Sequence, residues 1–100
     1  MNSISASELK SWMNSGEIFQ LVDVREPSEH DEFNIGGILM PLSEVIARID
    51  EIDSSKPVVF YCRKVIRSAI AIQRILQKRD FSNLYNLSGG LVSWENPGTL

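Results

Sequence analysis

Cys62 is the only cysteine in a chain of 100 residues, and three cations, Arg63, Lys64 and Arg67, follow it within five positions. A thiol acts as a nucleophile in its thiolate form, and nearby positive charge favours that form. The surrounding sequence, Val58-Val59-Phe60-Tyr61-Cys62-Arg63-Lys64-Val65-Ile66-Arg67-Ser68-Ala69, adds a second source of stabilisation. A β-rich run ends at the cysteine, a short basic loop follows, and a helical pattern begins at Ser68. Backbone N–H groups left free at a helix start face such a loop, and the helix dipole favours negative charge there. The order suits a nucleophilic sulfur that meets an anionic partner. The plain alternative is a small core side chain, because free cysteine is among the most buried residue types. Lysines and arginines in loops are commonly solvated surface, and Lys64 fits that description too. The sequence of strand, cysteine, basic loop and helix favours the chemical reading.

The elements that must hold this segment are legible along the chain. Ser5 and Glu8 form a capping-box pattern for a helix that runs to Asn14 and stops at Ser15-Gly16. Ile18 to Val24 is a short β-rich run. Pro27 suits the first turn of a short helix ending at Phe33. Ile38-Leu39-Met40 is a brief apolar run closed by Pro41. Ser43 is placed to cap a helix with Val45, Ile46 and Ile49 at helical spacing. Pro57 to Tyr61 is the most continuous β-rich run and reads as a central strand covered on both faces. Ser68 to Lys78 is helical, with Ala69, Ile72, Ile75 and Leu76 on one side. Asn83 to Leu87 is a last strand, and Gly89-Gly90 leads into a short helix around Trp94. Strands and helices that alternate with short links predict an α/β fold with a parallel sheet and helices on both faces. Ligands bind at the carboxyl ends of such strands, which here means just after Val24 and just after Tyr61.

Composition narrows the function classes. Hydrophobic residues at 43% and charged residues at 23% argue against disorder and for one globular domain over residues 1–100. A net charge of -3 argues against general nucleic-acid binding, so attraction for an anion must come from the local cluster at Cys62. Apolar runs fall short of the ~20 residues of a membrane helix, and no secretory signal is visible at Met1 to Lys10. A lone thiol without an export signal predicts a reducing, cytoplasmic setting. One cysteine and one histidine cannot build a Cys/His zinc site within the chain. No pattern resembles a coiled-coil seam, and a monomer is expected.

The Cys62 segment resembles the active-site loop of the rhodanese family, Cys-Arg-x-Gly-x-Arg-Ser, with Cys62, Arg63, Arg67 and Ser68 in the matching places. Leu21-Val22-Asp23-Val24-Arg25-Glu26 is similar to the family's Asp-Val-Arg-Glu segment. Asn34 to Leu42 is similar to the stretch that follows it, one residue shorter. Leu87-Ser88-Gly89-Gly90-Leu91-Val92-Ser93-Trp94 resembles the closing Gly-Gly-x-x-x-Trp element. The likeness thus spans nearly the whole chain in the right order. It implies a five-stranded parallel sheet flanked by helices on both faces, and a sulfurtransferase with no cofactor. In that reading Cys62 takes a sulfane sulfur from a thiosulfate-like donor or a persulfide and passes it to a thiol or another nucleophile, either of which can be a protein. The amides of residues 62–67 would cradle the outer sulfur, so that Arg63, Lys64, Val65, Ile66, Arg67 and Ser68 form the substrate site. Asp23 and Arg25 would brace the region. Locally, Asp23 can equally bond nearby backbone, and Arg25 can pair with Glu26 or Glu29.

Val65 departs from the pattern, since the family has glycine there. Either the loop keeps φ negative at this position, or it is strained, or it takes another shape. Val65 and Ile66 also make the mouth more apolar, which disfavours small hydrated anions and suits a larger or protein-bound donor. Two rivals stay in view. Cysteine phosphatases and arsenate reductases use an anion cradle but need Cys-x5-Arg, whereas Cys62 and Arg67 are separated by four residues. Some rhodanese-like domains are non-catalytic binding modules. His30 sits in a polar run and is expected on the surface; Trp12 and Trp94 are expected to pack rather than bind.

Overall fold

The computed structural model describes residues 2–95. Its centre is β4 (Val58–Tyr61), in which every residue is buried. Around it lie β1 (Asn2–Ile4), β2 (Gln20–Asp23), β3 (Ile38–Leu39) and β5 (Leu84–Leu87), all parallel, in the order β1-β5-β4-β2-β3. The links carry α1 (Ala6–Ser15), α2 (Pro27–Glu32) and α3 (Ile66–Lys78), and α4 (Gly90–Glu95) follows β5. Parallel pairing requires such crossovers, and it buries both faces of the inner strands. Side chains alternate accordingly. Phe60 and Cys62 face Ala71, Ile72 and Ile75 of α3, together with Met40, Val45 and Ile52. Val59 and Tyr61 face Leu9 of α1 and Leu91 of α4.

The register does the positioning. Asp23 stands opposite Tyr61, so the carboxyl ends of β2 and β4 lie side by side. The chain therefore delivers Arg25 and Cys62 to the same edge of the sheet. The capping box of α1 is present, with the amide of Glu8 donating to Ser5 Oγ at 3.1 Å and the amide of Ser5 donating to Glu8 Oε1 at 3.0 Å. Gly16 closes that helix at φ 75, a left-handed position that glycine takes without a Cβ penalty.

Four sequence expectations need correction. The helix capped by Ser43 is instead two 3-10 turns, Leu42–Glu44 and Ile49–Glu51, and no side-chain bond caps the first. β-branched Val45, Ile46 and Ile49 disfavour a regular helix, and they reach the core from the tighter path. Arg48 holds that path by bonding the carbonyl of Leu39 and the carboxylates of Glu44 and Glu51. The second strand begins at Gln20, leaving Ile18 72% exposed. β1 was not foreseen: it has three residues and buries only Ile4, so its signal lies in pairing with β5 rather than in its own pattern. Finally, α3 begins at Ile66, two residues before the expected start at Ser68.

Candidate active site

That earlier helix start changes what the sulfur does. With Val65 as N-cap, Ile66, Arg67 and Ser68 form the first turn of α3, and Val65 offers no capping side chain. The third amide of the turn, that of Ser68, donates instead to Cys62 Sγ at 3.5 Å. The cysteine sulfur thus stands where the oxygen of a capping serine or aspartate would stand. A negative sulfur there meets both an N–H donor and the positive end of the helix dipole.

The loop separates its polar groups. The carbonyls of Cys62 and Arg63 accept from the amides of Leu91 and Val92 at the start of α4, each at 3.0 Å. The amides of Arg63, Lys64, Val65, Ile66 and Arg67 donate to no protein acceptor among the described residues. A run of free N–H groups at a helix start is the physical basis of an anion nest. Gly90 makes the close approach of α4 possible. A Cβ on it would lie 1.7 Å from the carbonyl oxygen of Lys64 and 2.6 Å from that of Arg63.

Cys62 is 1% exposed, yet it lines a cavity of about 180 Å³ together with Arg63, Lys64, Ile66 and Arg67. Ser68 and Val65 lie outside that lining. Ser68 is fully buried behind the sulfur, with Oγ 3.4 Å from Sγ, 2.5 Å from Asn86 Oδ1 and 3.1 Å from the carbonyl oxygen of Val65. Its single proton has three neighbours to choose from, so Ser68 can accept from a thiol or donate to a thiolate by turning one hydroxyl. Val65 is 39% exposed at φ -148, and among the described residues only glycines have positive φ. Of the three possibilities for this position, the loop takes the first and keeps φ negative.

Arg67 points to a partner on α2. Its guanidinium donates twice to the Glu29 carboxylate, at 2.6 and 2.9 Å. These bonds, with the amide of Glu26 and the charges of Arg67 and Arg25, pull the Glu29 carboxyl down to about 2 despite partial burial. Arg63 and Lys64 remain exposed and make no side-chain bond among the described residues.

Asp23 and Arg25 form a buried bidentate pair at 3.0 and 2.8 Å, and Arg25 also donates to the carbonyl of Phe33. Asp23 accepts the Arg25 amide as well, so the expected local bond to nearby backbone is present beside the side-chain pair. Burial raises the Asp23 carboxyl, but bonds from Arg25 and His30 outweigh it and hold the group below its ordinary range. His30 corrects the expectation of a surface residue. Its Nδ1 lies 2.8 Å from Asp23 Oδ2, with the side chain 19% exposed, which places the ring proton on Nδ1. α2 is therefore pinned twice, through His30 to β2 and through Glu29 to α3. Trp12 packs against Phe19 and Tyr85, and Trp94 lies on the same apolar cluster.

Glu29, His30, Asn86 and Gly90 were missed as contributors to the site. Only the Gly89-Gly90 pair carried a signal, and it marked a turn rather than a contact with the loop. Among the described residues no group of His, Cys, Asp or Glu could hold a metal ion, and no helix is long and apolar enough to cross a membrane.

Comparison with known proteins agrees with this fold. The chain is 43% identical over 76 residues to YqhL of Bacillus subtilis (strain 168), an uncharacterized protein, covering 75% of this chain and 60% of that one. It thus spans less than two thirds of that relative's length. It is 31% identical to a protein of Allochromatium vinosum named sulfurtransferase, covering 98% of this chain and 92% of the other. A rhodanese-related protein from Thermoplasma volcanium has the same fold at a TM-score of 0.83 and 28% identity, covering 98% of this chain and 94% of that one. The model of the rhodanese-like domain matches residues 5–97, and with the thiol seated at the start of α3 this makes the chain a member of the rhodanese-like family.

Proposed function

We propose that the protein is a sulfurtransferase that carries a sulfane sulfur as a persulfide on Cys62. The observation that carries this reading is the seat of Cys62 Sγ at the N-terminus of α3, opening on a cavity beside five free amides. The thiolate would attack the outer sulfur of a donor such as thiosulfate. A bond forms to Sγ, the donor's S–S bond breaks, and sulfite leaves with the electron pair. The new outer sulfur is anionic, and the free amides and the helix end suit that charge. A nucleophilic acceptor then takes the sulfur and returns the thiolate. Arg63 and Lys64 attract the anionic donor; Ser68, held by Asn86, supports the sulfur from behind.

Ile66, 65% exposed, gives the mouth an apolar rim, and exposed Val65 precedes it in the loop, which favours a larger donor, such as a persulfide on a thiol or a protein, over thiosulfate. Val65→Gly, at a position with no need of positive φ, is expected to raise thiosulfate turnover; unchanged turnover removes the argument for a larger donor.

The burial of Cys62 favours a second reading, a non-catalytic binding module. The Cys-x5-Arg phosphatase reading is weakened further, since Arg67 is occupied by Glu29. Intact-protein mass spectrometry before and after thiosulfate, with Cys62→Ser alongside, decides between carrier and module. Gain of one sulfur, lost on reduction and absent in the variant, supports the carrier. A Cys62 that neither gains sulfur nor alkylates in the folded protein supports the module.

A further inference from the structure

A second pocket, of about 160 Å³, shares Arg63 with the Cys62 cavity and is lined by Arg25, Glu29, Glu32, Phe33, Arg63 and Glu95. Arg63 contributes to the lining of both spaces. The charges in this pocket are unequal in availability. Arg25 is engaged by Asp23 and the Phe33 carbonyl, and Glu29 by Arg67. The side chains of Arg63, Glu32 and Glu95 make no hydrogen bond or ion pair among the described residues. The guanidinium of a residue that also lines the Cys62 cavity and two carboxylates are thus left to meet a ligand, with the exposed ring of Phe33 as an apolar wall. This set matches a small molecule that carries a carboxylate, an ammonium and a short aliphatic stem. A guanidinium pairs with a carboxylate in a fork, and carboxylates accept from an ammonium.

We infer that this pocket receives the sulfur acceptor, and that the acceptor is a small thiol of amino-acid type. The inference rests on the persulfide reading of Cys62. The acceptor's thiolate attacks the outer sulfur of the persulfide. A new S–S bond forms in the acceptor, the bond to Cys62 Sγ breaks, and its electron pair stays on Sγ as the thiolate. The transferred sulfur keeps its oxidation state, so no oxidant or reductant is consumed. The excess of one negative charge among the free groups works against a thiol that is only anionic.

The test loads Cys62 with thiosulfate, confirms the added sulfur by mass, removes the donor, and follows discharge by four thiols at equal thiolate concentration. L-cysteine is expected to discharge the persulfide fastest, followed by cysteamine, then 2-mercaptoethanol, with 3-mercaptopropionate slowest. Each step is roughly two- to fivefold, the scale of a solvent-exposed charge pair. The double variant Glu32→Gln with Glu95→Gln removes the advantage of cysteine over 2-mercaptoethanol. Both residues are exposed, so the variant should fold as the parent does. Equal rates for cysteine and 2-mercaptoethanol, or equal slowing of all four thiols by the double variant, would overturn the inference while leaving the persulfide in place. Failure to gain sulfur is read before any thiol is added, and it removes the carrier reading and the acceptor site together.

Discussion

Gly90→Ala is the sharpest perturbation the loop offers. Two costs add at this residue. Its φ of 60 lies in the left-handed region, where a side chain costs about 1–2 kcal/mol. The new Cβ would also fall 1.7 Å from the Lys64 carbonyl oxygen and 2.5 Å from its carbon. These are backbone atoms, so relief requires α4 or the Cys62 loop to move, at about 1–3 kcal/mol by analogy with overpacked cores. The total is about 2–5 kcal/mol, a fall in melting temperature of roughly 8–40 °C for a domain this size. Gly16→Ala is the control. It shares the left-handed φ, at 75, but its Cβ would meet nothing within 4 Å, so only about 1–2 kcal/mol is expected. Urea and thermal denaturation of both variants measure the difference. Persulfide formation by Gly90→Ala, assayed well below its melting point, measures the displaced loop, and it should fall far below that of Gly16→Ala. If the two variants lose the same stability and form persulfide equally well, the contact between α4 and the loop is not what shapes the site.

Two further outcomes follow from the ion pairs. Glu29 is held at about 2 by Arg67 against an ordinary 4.5, so its stabilisation is fully present above pH ~4.5 and is lost as the pH falls towards 2. With both side chains about one third exposed, roughly 1 kcal/mol is expected; acid titration of stability should show this loss in the parent and not in Glu29→Gln. Asp23→Ala should destabilise by about 3–5 kcal/mol in urea denaturation, because it leaves the buried Arg25 guanidinium without its carboxylate. A loss no greater than that of His30→Ala would show that Arg25 finds another partner.

What the sequence revealed of this fold was whatever repeats locally. The β-branched run at Val58–Tyr61, the capping box at Ser5 and Glu8, and the apolar stripe of α3 each carry their own period, and the parallel order follows from their alternation. The order strand, cysteine, basic loop and helix marked the segment that holds the sulfur, and the register of β2 with β4 set Asp23 at the neighbouring strand end, opposite Tyr61. Features that depend on distant partners were illegible. The pairing of Arg67 with Glu29 spans 38 positions, and the contact of Ser68 with Asn86 spans 18, with no periodicity to announce either. The helix start was misplaced because a cysteine does not look like a cap; at Ile66 the sulfur serves as one. The 3-10 turns at Leu42 and Ile49 read as a helix because apolar spacing alone cannot separate the two at that length.

The pairing of β1 with β5 also sets an order of assembly. Asn2 meets Tyr85, and Ile4 meets Leu87, so the first strand of the chain must wait for the last before the sheet can close. Contacts of such long sequence separation slow folding, because loop-closure entropy is lost before they form. The carbonyls of Cys62 and Arg63 wait longer still, for the amides of Leu91 and Val92. In a chain emerging from the ribosome, the thiol is thus made before the residues that fix its loop. Under the proposed function, reactivity towards a sulfur donor is a property of the finished fold.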